Sequence, residues 1–581
     1  MHPDGNAPLL HPRHGGPWVS CAGAGRIMKN RTPSPSMPPL AGGTATAGFL
    51  VAMNVILFVA LAAIYGRGIS HAALFVSDTF VFFDGIHRIL KGQSPNADFW
   101  SPVGPIPYLL PYFGYRITGT FSGAVEMGSL LLAAPTLTVA SVLLWRRTSP
   151  VMALLILGTI AAVIVVPLVP GQGANQISHA MHYNRWGWGL LVALFLLGLP
   201  GGNGRRWAFL AAVLCGGLLV GLFLTKITYF LVAVAYLALL ATLPGNGRSN
   251  ALIALVTGAA LLTVITLFST GVIFGYVHSI QEALRSDSAV RGSYFDVAFS
   301  NRDNIGILIL ATYAVLLRPG LSWRSLALVG FIMVSGVAII DQNYQFKFIV
   351  SLPVAFAILS ASAAADASDR FRIASIIVAS AYLVVAPYAT DWARVTLQHV
   401  RAPTGQLPGI QDPRFDNLYI YNSATDIADS QAADSSVDLY DGPYDMTSLL
   451  DGKIPISHLT RTEFLPVLEE GARLLKSLGA DKSEITTLDF VNTMPLMVDA
   501  SRKSRGYSWM HFGRNMSDDT LPEGAEMFKD VSYIAVPLKS ATHPSVYRLL
   551  SHYGDYLTAN TLVAGHSKNW VVLRHEPGAK G

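Results

Sequence analysis

Apolar runs of membrane length recur along the first two thirds of this chain. A helix crossing a bilayer needs about 20 predominantly apolar residues. Such runs lie at 47–65, 123–145, 149–169, 207–224, 227–244, 250–275, 325–340, 346–365 and 371–390, with weaker ones at 186–200 and 305–317. Together they read as about eleven spans. Composition agrees: 51% of residues are hydrophobic and 13% charged, against about 25% charged in a soluble domain. A largely soluble architecture is thereby excluded. The net charge of +5 suits positive cytoplasmic loops rather than nucleic-acid binding.

The basic residues orient the spans. With a cytoplasmic N-terminus, Arg146-Arg147, Arg205-Arg206, Arg248, Arg318 with Arg324, and Arg370 with Arg372 all fall in cytoplasmic loops, as the positive-inside rule requires. The acidic loops, and everything beyond about residue 391, then face outward. Residues 1–45 are rich in Pro, Gly, Ser and Thr and read as a disordered cytoplasmic tail, with Met28 and Met37 as alternative starts. Cys21 follows no hydrophobic run, so it is not a lipoprotein cysteine, and Cys215 reads as inert core. The expected organisation is a tail over 1–45, a membrane module over 46–390 whose first outer loop is 66–122, and an extracytoplasmic α/β domain over 391–581. In that last region strand-like runs (418–421, 486–491, 533–536, 570–573) alternate with helix-like ones (463–478, 544–557).

The first outer loop carries more chemistry than a linker needs. Asp78, Asp84, Arg88 and Asp98 stand there among Gly, Pro and aromatic residues. A carboxylate such as Asp78, beside the lipid headgroups, can take a proton from a hydroxyl or hold a cation. It can equally cap a helix running through Phe80–Leu90, and on base rates capping leads. Asp84 also reads as a solvated loop acid, and Asp98 as a turn-stabilising residue.

The spacing Asp78…Arg88-Ile89-Leu90-x-Gly92…Asp98-Phe99-Trp100-x-Pro102-x-Gly104-Pro105…Tyr108 resembles the first outer loop of the GT-C membrane glycosyltransferases. The likeness is to the bacterial branch of protein O-mannosyltransferases and lipid A aminoarabinose transferases, and it is specific over 78–110. It implies a polytopic helical protein of the bacterial inner membrane. Such an enzyme moves a sugar from a polyprenyl-phosphate carrier to a lipid, polysaccharide or protein acceptor on the outer face. Asp78 matches the family's catalytic acid and Asp98 its second loop acid, with Asp84 a further candidate. Thr79 stands where the family often has a second acid. A divalent cation shared by Asp78, Asp84 and Asp98 stays open, and no other cofactor is implied.

A phosphate leaving group needs cations. Arg88, Arg185, Lys226 and Lys347 are the candidates, with His182 and Asn184 as polar partners. Lys226 interrupts two apolar runs, which marks a functional position or a snorkelling side chain. The run His179–Trp188 contacts phosphate and sugar or forms an aromatic belt. The turn Asp341–Lys347 contacts sugar hydroxyls or is simply solvated. Trp509-Met510-His511-Phe512-Gly513-Arg514 binds the acceptor or packs the domain onto the membrane part. Two other functions stay open: a flippase for lipid-linked sugars, and a non-catalytic scaffold of envelope assembly.

Overall fold

The computed structural model describes residues 45–576, apart from 174, 202–203, 245–246, 287–292, 317–321, 344–347, 363–366, 402–411, 421–441, 462 and 502–505. Of the tail read over residues 1–45, residues 1–44 lie outside the described residues, as does Lys347, and Ala45 is buried. The chain is a polytopic helical membrane protein. Its helices are α1 (Ala47–Tyr65), α2 (Val76–Leu90), α3 (Ile106–Thr118), α4 (Ala124–Leu144), α5 (Pro150–Val165), α6 (His182–Phe195), α7 (Arg205–Thr225), α8 (Ile227–Thr242), α9 (Gly247–Phe268), α10 (Thr270–Arg285), α11 (Tyr294–Ser300), α12 (Arg302–Leu316), α13 (Trp323–Asn343), α14 (Leu352–Ser362) and α15 (Ala367–Arg401). Among the described residues, six are long and apolar enough to cross a membrane: α1, α4, α7, α9, α13 and α15. Three shorter apolar helices, α5, α8 and α14, accompany them.

Burial sorts these helices into layers. α1 buries little beyond Leu50 and Tyr65 and leaves most of its apolar surface uncovered by the protein. α4 is mostly buried. In α6 every residue except Tyr183 is buried. A helix buried all round is a core element, which is why this stretch reads only weakly as a span. Small residues let backbones approach: a Cβ on Gly114 of α3 would stand 2.0 Å from the Ala124 carbonyl oxygen of α4.

The mixed α/β elements follow. The strands are β1 (Ser70–Ala72), β2 (Leu418–Ile420), β3 (Ser457–His458), β4 (Ile485–Thr487), β5 (Tyr533–Pro537), β6 (Lys539–Ser540), β7 (Thr561–His566) and β8 (Trp570–His575). A four-stranded sheet runs β4-β5-β8-β7, with β4 parallel to β5 and the other pairs antiparallel. Helices Phe464–Ser477 and His543–Asn560 pack with it. The boundary at 390–391 falls inside α15, which continues to Arg401. Its polar last turns keep helical spacing, with Trp392, Val395 and His399 buried on one face.

Residues far apart in sequence close around the first loop. β1 pairs in parallel with β2, Ser70 opposite Leu418, and Trp100 bridges to Tyr507. Gly104 packs against the end of α7: its amide donates to the Thr225 carbonyl at 3.1 Å, and a Cβ there would stand 2.0 Å from the Leu224 carbonyl oxygen. Gly104→Ala must therefore push the loop off α7. A loss of about 1–3 kcal/mol is expected, read as a melting temperature lower by a few degrees; an unchanged melting temperature would show that the loop yields freely.

Candidate active site

A cavity of about 370 Å³ lies where the first loop, the starts of α6 and α8, α10, the end of α13 and the segment 509–515 meet. Asp78, Tyr183, Lys226, Trp509, His511 and Arg514 line it, with apolar walls from Val81, Phe82 and Ile280.

Asp78 is not a helix cap. α2 begins at Val76, its N-cap is Phe75, and no side chain caps it. Asp78 lies in the first turn, its amide donating to the Phe75 carbonyl at 3.0 Å, and its carboxylate faces the cavity. Desolvation by the surrounding protein raises its pKa from the ordinary carboxylate range to about 7, against the opposing pull of the Arg514 charge. The side chain is only half-buried by surface area, because its exposure is to the cavity rather than to bulk solvent. Phe75 (φ 51°) and Met181 (φ 48°), non-glycine residues in the left-handed region, start the helices that deliver Asp78 and Tyr183. Such strain is concentrated at functional sites.

Lys226 sits in the one-residue break between α7 and α8, beyond the end of the α7 span. Its Nζ donates to Asn184 Oδ1 at 3.1 Å and stands 5.5 Å from the centre of the Tyr183 ring. Desolvation, helped by the Arg514 charge, lowers its pKa to about 7. The Tyr183 and Trp509 rings are nearly parallel, 14° apart in plane, with centres separated by 6.4 Å. Arg514 is aimed by a tight turn: Gly513 has φ 76°, and its amide donates to the Met516 carbonyl at 3.0 Å. Arg514 Nη1 reaches the Met181 sulfur at 3.9 Å. His511 stays neutral, its pKa lowered to about 4 by burial and then by Arg514.

The remaining sequence candidates among the described residues lie outside the cavity lining. Asp84 is six residues beyond Asp78, roughly 9 Å further along the helix and on another face. It accepts from Arg88 Nε at 2.7 Å, and both side chains are fully buried. Arg88 is thus held in an internal ion pair rather than offered to a phosphate. Asp98 accepts from the Ser94 amide at 2.7 Å and stabilises its own turn. His182 Nε2 lies 3.0 Å from Ser129 Oγ and 3.1 Å from the Ile164 carbonyl oxygen. Arg185 donates to the Ser178 carbonyl at 2.9 Å from inside the helix bundle. Asn184 supports Lys226.

The described residues hold no group of three or more His, Cys, Asp or Glu arranged for a metal ion. With Asp84 paired to Arg88 and Asp98 folded into its turn, the three loop carboxylates do not form a shared cation site. Sequence reasoning left Arg514, His511 and Trp509 between two readings and did not single out Tyr183. Only the fold brings them to Asp78.

No protein-family model matches the chain, and no curated protein matches it. Solved structures do. The chain is similar to ArnT from Cupriavidus metallidurans bound to undecaprenyl phosphate. The identity is 12%, the TM-score 0.45, and the match covers 92% of this chain and 100% of that one. It is also similar to the archaeal oligosaccharyltransferase AglB from Archaeoglobus fulgidus, in complex with an inhibitory peptide and a dolichol-phosphate. There the identity is 10%, the TM-score 0.38, and the match covers 84% of this chain and 70% of that one.

Proposed function

We propose that this protein is a membrane glycosyltransferase that moves a sugar from a polyprenyl-phosphate donor to an acceptor hydroxyl on the outer face of the membrane. The observation that carries this reading is one cavity holding a carboxylate of raised pKa together with two cationic side chains, walled by aromatic rings. The cavity is also lined by Leu284 of α10, whose side chain is 77% exposed. An isoprenoid tail can stay against such apolar surface while its phosphate enters. The sequence resemblance over 78–110 supports the same reading.

Asp78 accepts the proton of the acceptor hydroxyl as that oxygen bonds to the anomeric carbon. The bond from the anomeric carbon to the phosphate oxygen breaks, and the phosphate leaves with the electron pair. Lys226 and Arg514 balance the charge that develops on it. Tyr183 and Trp509 offer ring faces to the sugar. The donor carries its own activated leaving group, so no nucleotide-binding motif is needed. No step is routed through a metal ion. In the same reading the N-terminus is cytoplasmic and residues 413–576 lie outside, beside the first loop.

The test is transfer by purified protein in lipid, supplied with a panel of radiolabelled polyprenyl-phosphate sugars. Consumption of a donor supports the reading. No turnover of any donor by folded protein would shift it to transport or scaffolding. Where turnover is found, kcat/KM against pH should be bell-shaped with its maximum near 7. Below about 7 Asp78 is protonated and cannot act as base, so the rate rises with pH. Above about 7 Lys226 loses its proton and the rate falls. Lys226→Arg, whose guanidinium stays charged, should remove the alkaline limb alone.

A further inference from the structure

Arg88 reads in the sequence as a phosphate-binding cation, yet it is 1% exposed, does not line the cavity, and reaches into a seam between the first loop and the segment 506–515. We propose that the buried Asp84–Arg88 pair and the hydroxyls of Tyr108 and Ser508 are positioning residues. They hold the Trp509–Asn515 wall, and with it Arg514, at a fixed distance from Asp78.

The seam is built from both sides. Arg88 is anchored by Asp84 at 2.7 Å, with Phe99 beneath its guanidinium at 5.2 Å. It extends to the Gln93 side-chain oxygen at 3.4 Å and the Tyr507 carbonyl at 3.5 Å. Beside it the two backbones are joined twice: Trp100 N–H donates to the Gly506 carbonyl at 2.9 Å, and Ser508 N–H to the Trp100 carbonyl at 3.0 Å.

A chain of hydroxyls completes the seam, and its direction can be assigned. Ser508 Oγ donates to the Trp100 carbonyl at 3.1 Å. Tyr108 Oη donates to Ser508 Oγ at 2.9 Å. Ser101, 2.8 Å from Tyr108 Oη, must then be the donor to it, and its own oxygen accepts from the Val103 amide at 3.2 Å. Each hydroxyl donates once and accepts once, so the chain is fully satisfied. Buried polar networks of that kind fix one geometry.

Directly beyond Ser508 come Trp509, His511 and Arg514. Asn515 shapes them, accepting from the His511 amide at 2.9 Å and donating to the Trp509 carbonyl. The segment that carries Arg514 is therefore registered on the loop that carries Asp78. Arg88, Asp84 and Ser508 act through it without lining the cavity. Calling this wall part of an active site rests on the proposed function; its registration on the first loop does not.

The experiment uses full-length protein in nanodiscs. Ser508→Ala removes one link and leaves Tyr108 Oη without its acceptor. Hydrogen–deuterium exchange should then rise at least ten-fold across Trp509–Asn515 and stay unchanged in α4 and α6. Equal exchange in wild type and variant would overturn the proposal. Undecaprenyl phosphate serves as the binding probe. Ser508→Ala should weaken its binding about five-fold, the worth of one hydrogen bond. In an Arg514→Ala background Ser508→Ala should have no further effect, since the wall no longer carries the cation; additive losses would overturn the proposal. Should Ser508→Ala fail to fold, Tyr108→Phe, which removes only a hydroxyl but from a residue that lines the cavity, repeats the exchange measurement, and the charge-neutral Asp84→Asn/Arg88→Gln double variant repeats both. A wild-type protein that does not bind undecaprenyl phosphate would count against the proposed function, while the exchange comparison would still decide the positioning role.

Discussion

Replacing Asp78 by Asn is expected to lower sugar transfer by about 100- to 10,000-fold without lowering the melting temperature. The two halves of this expectation rest on different observations. The kinetic half follows from a carboxylate that faces the cavity and is, among the described residues, the only acidic side chain lining it. The stability half follows from the helix start. Phe75 occupies the N-cap and no side chain caps α2, so the carboxylate contributes no capping bond that Asn would forfeit. Burial holds the Asp78 pKa near 7, which means the fold favours the neutral form. The stability this protonation supplies is complete below the unfolded value near 4 and is lost as pH rises through about 7. Asn, always neutral, should therefore be at least as stable as wild type at pH 5 and exceed it by a wider margin at pH 8. Thermal melts at the two pH values beside a donor-consumption assay make the check. Retained transfer would remove Asp78 as the base, and a melting temperature several degrees lower at pH 5 would restore the capping role.

Lys226→Met and Arg514→Met should each reduce kcat by about 10²–10³, the size seen when one preorganised charge-stabilising donor is taken from a transition state. Both side chains line the cavity, and they come from elements nearly 300 residues apart. Lys226 is fixed through Asn184 at 3.1 Å, so Asn184→Leu should reproduce part of the Lys226 loss through a misplaced ammonium. Single-turnover kinetics with saturating donor separates the effects. A loss confined to KM would mean that these cations hold the ground-state phosphate without stabilising its departure.

Asp78 was legible in the sequence because the loop motif is local: its spacing to Arg88, Asp98 and Gly104 survives in one linear stretch. The six long apolar helices were legible for the same reason, since apolar length is a property of a window; the count of about eleven spans is not reached among the described residues. What the sequence could not separate is two uses of one residue type. Arg88 beside a membrane loop is equally consistent with gripping a phosphate and with a buried pair to Asp84, because the spacing of four that makes the pair is common on any helix. Arg185 and His182 carried the same ambiguity, and in the structure both are buried in α6 beside protein partners. The boundary read near 390 falls inside α15, because hydropathy ends there while the helix does not. β7 escaped notice because a bulge at Val563–Gly565 breaks its alternation. Arg514 belongs to the site only through tertiary contact, and no local pattern announces that.

The parallel pairing of β1 with β2 and the bridge from Trp100 to Tyr507 carry a consequence for biogenesis. A ribosome that has reached Arg401 has made Asp78, Lys226 and all six of the long apolar helices, yet none of the segment that bears Arg514. Contacts of such sequence separation form late, because a long loop must close before they contribute. On the proposed function, the membrane part is made before Arg514 can join Asp78, and competence waits for the segment 509–515.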